Sequence, residues 1–195
     1  MIQLWHGGSR WNGKPEVQAP KQGRYECGPG INLTTHYLRA RKYATGGKVT
    51  TLVTLSDNIR WLEQAKLPLK DLVQFLDETP RLPGRAALKE DFLQRAIERG
   101  MAMDDLCPVE RLVNVLINSE ALAGKVGLHL ADWLTRNGVD AALHRAMGQE
   151  QWVIVFNPAI IVKHQVVPAA SVKLDQYEMP QIKLPSMPAE RTPCL

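Results

Sequence analysis

The apolar run Ile2-Gln3-Leu4-Trp5-His6 stops at a Gly7-Gly8 breaker, which predicts a short strand over residues 2–6. A polar segment carrying Gly13, Pro15, Pro20 and Gly23 then runs to about residue 27 as a long loop. Unstructured stretches of that length are uncommon unless they serve a site, so the loop invites a binding role. Gly28-Pro29-Gly30 leads into Ile31-Asn32-Leu33-Thr34, and Thr34 or Thr35 is placed to cap a short helix over 36–44 that ends at Gly46-Gly47. The β-branched run KVTTLVTL predicts a strand over 48–55. Ser56 or Asp57 then caps a helical segment containing Ile59, Trp61, Leu62 and Ala65.

Helical periodicity dominates the middle of the chain. Leu88, Phe92, Leu93, Ala96 and Ile97 share one stripe over 86–98; Val109, Leu112, Val113, Leu116 and Ile117 repeat it after Pro108; and a third helix over about 121–136 ends at Asn137-Gly138. Strands are expected over 139–144, over Trp152-Val153-Ile154-Val155-Phe156, and from Ile160 to Gln165. From Val166 onward, prolines at 168, 180, 185, 188 and 193 predict a segment that packs extended or stays mobile. No internal repeat is expected. The expected core includes Leu4, Ile31, Leu33, Val49, Leu52, Val53, Leu93, Val113, Leu116, Leu130, Trp133, Val153, Val155 and Phe156.

A chain of 195 residues with 45% hydrophobic and 23% charged residues has a globular composition and can bury a sizeable core. No apolar run is long enough to span a bilayer, so a soluble protein with no membrane partner is expected. The net charge of +4 permits an anionic ligand without demanding nucleic acid. Cys27, Cys107 and Cys194 are too few and too scattered for a disulfide scaffold or a structural zinc, and with no secretion signal in view a cytoplasmic setting is expected. No HExxH or compact carboxylate set implies a catalytic metal. Gly-Pro-Gly is neither a dinucleotide-binding GxGxxG nor a P-loop.

Four separated pieces carry a resemblance: Leu4-Trp5-His6-Gly7-Gly8-Ser9; Gly28-Pro29-Gly30-Ile31-Asn32-Leu33-Thr34 followed by Ala40 and Tyr43-Ala44; Asn137-Gly138-Val139-Asp140-Ala141; and Trp152 to Pro158 followed by Ile160. In content and order they resemble the ADP-ribosyltransferase superfamily, in its poly-ADP-ribose-polymerase-like and compact bacterial or phage branches, whose hallmark is a His, Tyr, Glu triad. The resemblance covers about 2–55 and 137–165. It implies an α+β fold with split antiparallel sheets around an NAD cleft, in a domain over 1–165 with a helical insertion at about 57–136 and a Pro-rich tail over 166–195.

That resemblance also implies roles. His6 would hydrogen-bond the nicotinamide-side ribose, and the backbone of Gly7 would line the nicotinamide pocket. Gly30, Asn32 and Thr34 fall in the Gly-x-Gly motif, where Asn32 replaces the family's stacking tyrosine, and Tyr43 matches a second aromatic on the following helix. The acid is ambiguous: counting back from Phe156 and Asn157 puts the family position at Trp152, matching an acid-aromatic start puts it at Gln151, and Glu150 is the nearest carboxylate. Arg10 is the preferred partner for the cofactor's diphosphate. The implied reaction splits NAD, used as a substrate, and transfers ADP-ribose to a protein or nucleic-acid acceptor; a carboxylate would stabilise the oxocarbenium ion better than an amide. Two alternatives stand beside this mono-ADP-ribosyltransferase reading. One is a catalytically degenerate fold used for binding or as a structural protein, in a host cytoplasm or a phage virion, with the tail docking on an assembly partner. The other is an RNA 2′-phosphotransferase-like enzyme.

Overall fold

The β-branched and aromatic runs assemble into one six-stranded antiparallel sheet in a computed structural model that describes residues 1–19, 28–146 and 148–184. Its strands are β1 (Ile2–Gly8), β2 (Ile31–Thr34), β3 (Val49–Leu55), β6 (Ala141–Arg145), β7 (Gln151–Val155) and β8 (Ile161–Val166). They lie in the order β6-β7-β2-β1-β3-β8 and every neighbouring pair is antiparallel. The first strand of the sequence is therefore central.

Alternation along these strands separates two faces. Leu4, Leu33, Val53, Leu55, Leu143, Val153 and Val155 project to one side and form a buried cluster with Ile59, Trp61 and Ile160. Trp5 projects to the other, where its ring meets Tyr37 edge-on at 5.0 Å on α1 (Tyr37–Tyr43). No side chain caps α1: His36 holds the cap position, and the Thr34 hydroxyl accepts the His36 N–H just before it. Gly7 lies beneath this helix. A Cβ there would stand 1.8 Å from the Ala40 carbonyl oxygen, so the close seating of α1 on β1 requires glycine.

The helical region departs from expectation in two ways. Residues 56–65 do not form an α-helix: the chain stays extended through Trp61, makes a single 3₁₀ turn over Leu62–Gln64, and enters β4 (Lys66–Pro68) and an unforeseen α2 (Leu69–Glu78). The reason is visible in the cluster membership, since Ile59 and Trp61 pack on the sheet's first face while Leu62 joins the helical core. That is alternation with a period of two, not of 3.6.

A repeat is also present. β4, α2 and α3 (Arg85–Ile97) are followed by β5 (Leu106–Pro108), α4 (Val109–Asn118) and α5 (Lys125–Arg136) in the same order. Pro68, Leu72, Val73 and Leu76 of the first unit recur as Pro108, Leu112, Val113 and Leu116 of the second. The units meet across a two-stranded sheet in which Leu67 faces Cys107 and Lys66 faces Pro108. The Leu69 N–H donates to Asp105 O at 2.9 Å, and the equivalent Val109 N–H donates to Ala65 O at 3.0 Å. This local two-fold arrangement buries one continuous core that reaches Ala142, Ile154 and Phe156 on the second face of the sheet.

The helical body leaves and rejoins the sheet at one neck. Asp140 N–H donates to Arg60 O at 2.8 Å, Arg60 N–H and Nε–H both donate to Asp140 Oδ2 at 3.0 Å, and Asn157 Nδ2 donates to Oδ1 at 2.8 Å. Burial opposes ionisation of Asp140, yet the donors from Arg60 and Asn157 outweigh it and hold the carboxyl below its ordinary range. The described part of the tail packs against the sheet but is not simply extended, since it makes 3₁₀ turns over Ala169–Ser171 and Leu174–Gln176: Trp5 Nε1–H donates to Gln176 O at 2.8 Å, Tyr37 N–H to Tyr177 O at 2.9 Å, and Met179 N–H to Thr35 O at 2.8 Å. Pro185, Pro188, Pro193 and Cys194, like Pro20, Gly23 and Cys27 of the long loop, lie outside the described residues.

Candidate functional site

Strand register decides which candidate side chains meet. Trp5 pairs with Thr34, and Thr34 with Trp152, so β1, β2 and β7 share continuous cross-strand rows. His6 and Gln151 project to the face that carries Leu4, Leu33 and Val153. They are two strands and two residues apart, about 12 Å between Cα atoms from standard strand spacings. Thr51, the β3 partner of His6, projects beside it, and its buried hydroxyl has no hydrogen-bond partner.

His6 is held in one tautomer. Its Nδ1–H donates to the Asn32 carbonyl at 2.9 Å, so the neutral ring keeps its Nε2 lone pair free to accept a hydroxyl. Trp11 lies over the imidazole, with ring centroids 4.6 Å apart and planes 25° apart, and meets His164 of β8 edge-on at 5.4 Å. His164 Nε2–H donates to Gly13 O at 3.0 Å, which ties the loop down. Gly8 leaves the room the imidazole needs, since a Cβ there would stand 2.5 Å from His6 Nε2.

Burial pushes the His6 pKa below its ordinary value, against a smaller opposing effect of the bond to Asn32. The unfolded chain therefore takes up a proton at higher pH than the folded one, and stability falls as pH drops from about 7 through the unfolded value of 6.5 toward the depressed folded value. Urea midpoints measured from pH 8 to 5 should show this slope, and His6→Gln should flatten it; an unchanged slope in the variant would assign the effect elsewhere.

Gln151 is buried and committed. Its Nε2 donates to Ile182 O at 3.0 Å and its Oε1 accepts the Ile182 N–H at 2.7 Å, a paired amide contact that fastens the C-terminal segment across the strand end. Ile182 itself packs into the core cluster of this face, with Trp11, Val17 and Leu184 at its margin. The face bearing His6, Thr51 and Gln151 is thus roofed by two connecting segments.

Glu150 lies on the other side of the sheet. It accepts the Thr34 hydroxyl at 3.0 Å, Arg39 Nε–H at 3.1 and 3.2 Å, and the Trp152 indole N–H, while the Arg39 guanidinium sits 5.7 Å from the Trp152 ring centroid. Burial works against the carboxylate, but the donors from Trp152, Arg39 and Thr34 together hold it ionised below its ordinary range. Tyr43 is 58% exposed at the end of α1, and Arg10 and Asn32 are exposed. Gly30 lies against Ile154 and Val155, where a Cβ would stand 2.7 Å from the Val155 carbonyl oxygen. The structure therefore sets His6 beside Thr51 and leaves Gln151 on the same face about 12 Å away, and separately brings together Thr34 and Glu150; Arg10 and Tyr43 join neither group.

Sequence reasoning missed Trp11, Thr51 and His164 around the imidazole, and Arg39 as the partner of Glu150. Only register could have found Thr51, because a threonine in a β-branched run carries no signal of its own. Among the described residues, no group of three or more His, Cys, Asp or Glu side chains is placed to hold a metal ion, and no helix is long and apolar enough to cross a membrane. Comparisons with protein-family models, with curated proteins and with solved structures give no match to this chain.

Proposed function

We propose that this chain is an NAD-dependent mono-ADP-ribosyltransferase that modifies a protein or nucleic-acid acceptor, with its site on the His6 face of the sheet. The observation that carries the reading is a tautomer-fixed His6 Nε2 standing beside the orphan hydroxyl of Thr51, on the face of the sheet that also bears Gln151 at the start of β7. Such a set suits a ribose, whose hydroxyls both donate and accept. Nicotinamide leaves NAD as a neutral molecule, so the protein's task is to position the sugar and tolerate the positive charge that develops on it. Trp11 and the Ile182 segment would have to swing aside to admit the nucleotide, and neither belongs to a strand or a helix.

A second reading is favoured by a specific observation: the side chain at the start of β7 on this face is a neutral amide, and the adjoining carboxylate of Glu150 is engaged with Arg39 on the other side. A chain built that way would bind without turnover, as a binding or structural protein. Incubation of the full chain with NAD, read as free nicotinamide, separates the two. Release that is lost in His6→Ala supports the transferase; saturable NAD binding without release supports the second reading. Neither binding nor release would remove the nucleotide from both.

A further inference from the structure

The two-fold arrangement of the helical body offers an internal comparison. In the first unit Phe75 on α2 fills the space toward α5, with its ring 4.8 Å from that of Trp133 and stacked 5.6 Å from that of His129. At the equivalent place on α4 the second unit has Val115, and there the packing stays open: a cavity of about 170 Å³ lies between α3 and α4, with Phe92, Ala96 and Cys107 in its lining.

Polar side chains on the same rim also change character between the units. Arg111, Asn114 and Asn118 line the cavity from α4, where α2 has Asp71, Gln74 and Glu78 at the equivalent positions. Arg95 and Arg99 line it from α3 and the turn that follows. Arg95 is paired with Asp91 at 2.9 Å, but neither Arg99 nor Arg111 pairs with a carboxylate among the described residues; Arg111 donates to Met101 Sδ at 3.6 Å and lies against the Cys107 thiol. Burial pushes the Cys107 thiol up, and Arg111 and Arg99 both pull the other way, so the two guanidinium fields converge on this pocket. Arginines gathered at the rim of a cavity raise the local positive potential and favour an anion there.

We propose that this cleft binds a terminal phosphate group, as free phosphate or as the end of a phosphomonoester, between the guanidiniums of Arg99 and Arg111 and the carboxamides of Asn114 and Asn118. Planar guanidinium forks match phosphate oxygens in geometry and charge. The volume sets the scale: it is below the ~300 Å³ of ordinary small-molecule pockets. It admits a phosphate and leaves the organic portion of an ester outside, and it does not admit a whole dinucleotide. The site is separate from the His6 face and does not rest on the reading given for that face.

Calorimetric titration of the full chain with inorganic phosphate and with AMP, in chloride buffer of fixed ionic strength, tests this. Saturable binding is expected for at least one of them, weakened at least tenfold in Arg99→Ala and in Arg111→Ala, with Arg99→Lys intermediate. Tighter binding of AMP than of phosphate would identify the ester as the source, and equal binding the free anion. Arg99 is exposed and makes no ion pair, so Arg99→Ala keeps the test valid even where Arg111→Ala unfolds. Absence of saturation with both probes, or affinities unchanged in the Arg99→Ala protein, would overturn the proposal. So would binding that disappears in His6→Ala and survives in Arg99→Ala.

Discussion

Gly7→Ala is expected to destabilise the protein by about 3 kcal/mol, the upper end of ordinary overpacking costs, because the added methyl group meets backbone rather than a movable side chain. Its Cβ would lie 1.8 Å from the Ala40 carbonyl oxygen and 2.6 Å from the carbonyl carbon, so α1 as a whole must lift from β1. Lifting α1 would also loosen the edge-on contact of Trp5 with Tyr37. Gly46→Ala is the natural comparison. Gly46 also lacks a side chain and has φ of +63°, but a Cβ there meets nothing within 4 Å, so only the left-handed backbone is penalised, at about 1 kcal/mol. Urea unfolding of the two variants should rank them in that order; equal losses would mean that the helix seat yields and the collision is relieved cheaply.

Arg39→Ala is expected to cost about 2 kcal/mol, below the full penalty for breaking a buried ion pair because Arg39 is partly exposed and its charge is partly screened. The loss comes from Glu150, whose side chain is only 8% exposed and would keep its charge with Thr34 and Trp152 alone as donors. Glu150→Gln in the Arg39→Ala background should recover part of the loss, since an uncharged amide needs no counter-charge. A double-mutant cycle by chemical denaturation measures this, and strictly additive losses would show that the pair is not coupled. The pH dependence has a definite sign. Because Glu150 titrates below its unfolded value of 4.5, its contribution is present above that pH and is lost as acid carries the protein through the depressed folded value. In Arg39→Ala that loss should begin at higher pH.

Most strands were legible in the sequence because their composition and their breakers agree. The run ending at Gly7-Gly8, KVTTLVTL, and Trp152 to Phe156 each formed a strand within about two residues of its expected bounds. The helices over 85–97, 109–118 and 125–136 followed their apolar stripes for the same reason. Where two signals competed, reading failed: Ser56 and Asp57 look like caps, but Ile59, Trp61 and Leu62 divide between two cores, which only an extended chain permits. The repeat hid because four matched positions in eleven are diluted by differing polar residues between Lys66 and Leu76 and between Leu106 and Leu116. His6 was visible as a chemical group at a strand end. Its surroundings were not, since Thr51, Trp11 and His164 come from three separate segments joined only by sheet order.

The stapled neck at Arg60 and Asp140 has a consequence for how this architecture tolerates change in length. The chain from 61 to 139 departs and returns through two positions already hydrogen-bonded to each other, so the sheet experiences that excursion as if it were a tight turn. Closing a connection costs only about 0.6 kcal/mol more for each doubling of its length. Segments could therefore be added or removed beyond the neck with little entropic penalty to the strands, provided that whatever replaces them still shields Ile154 and Phe156 from water.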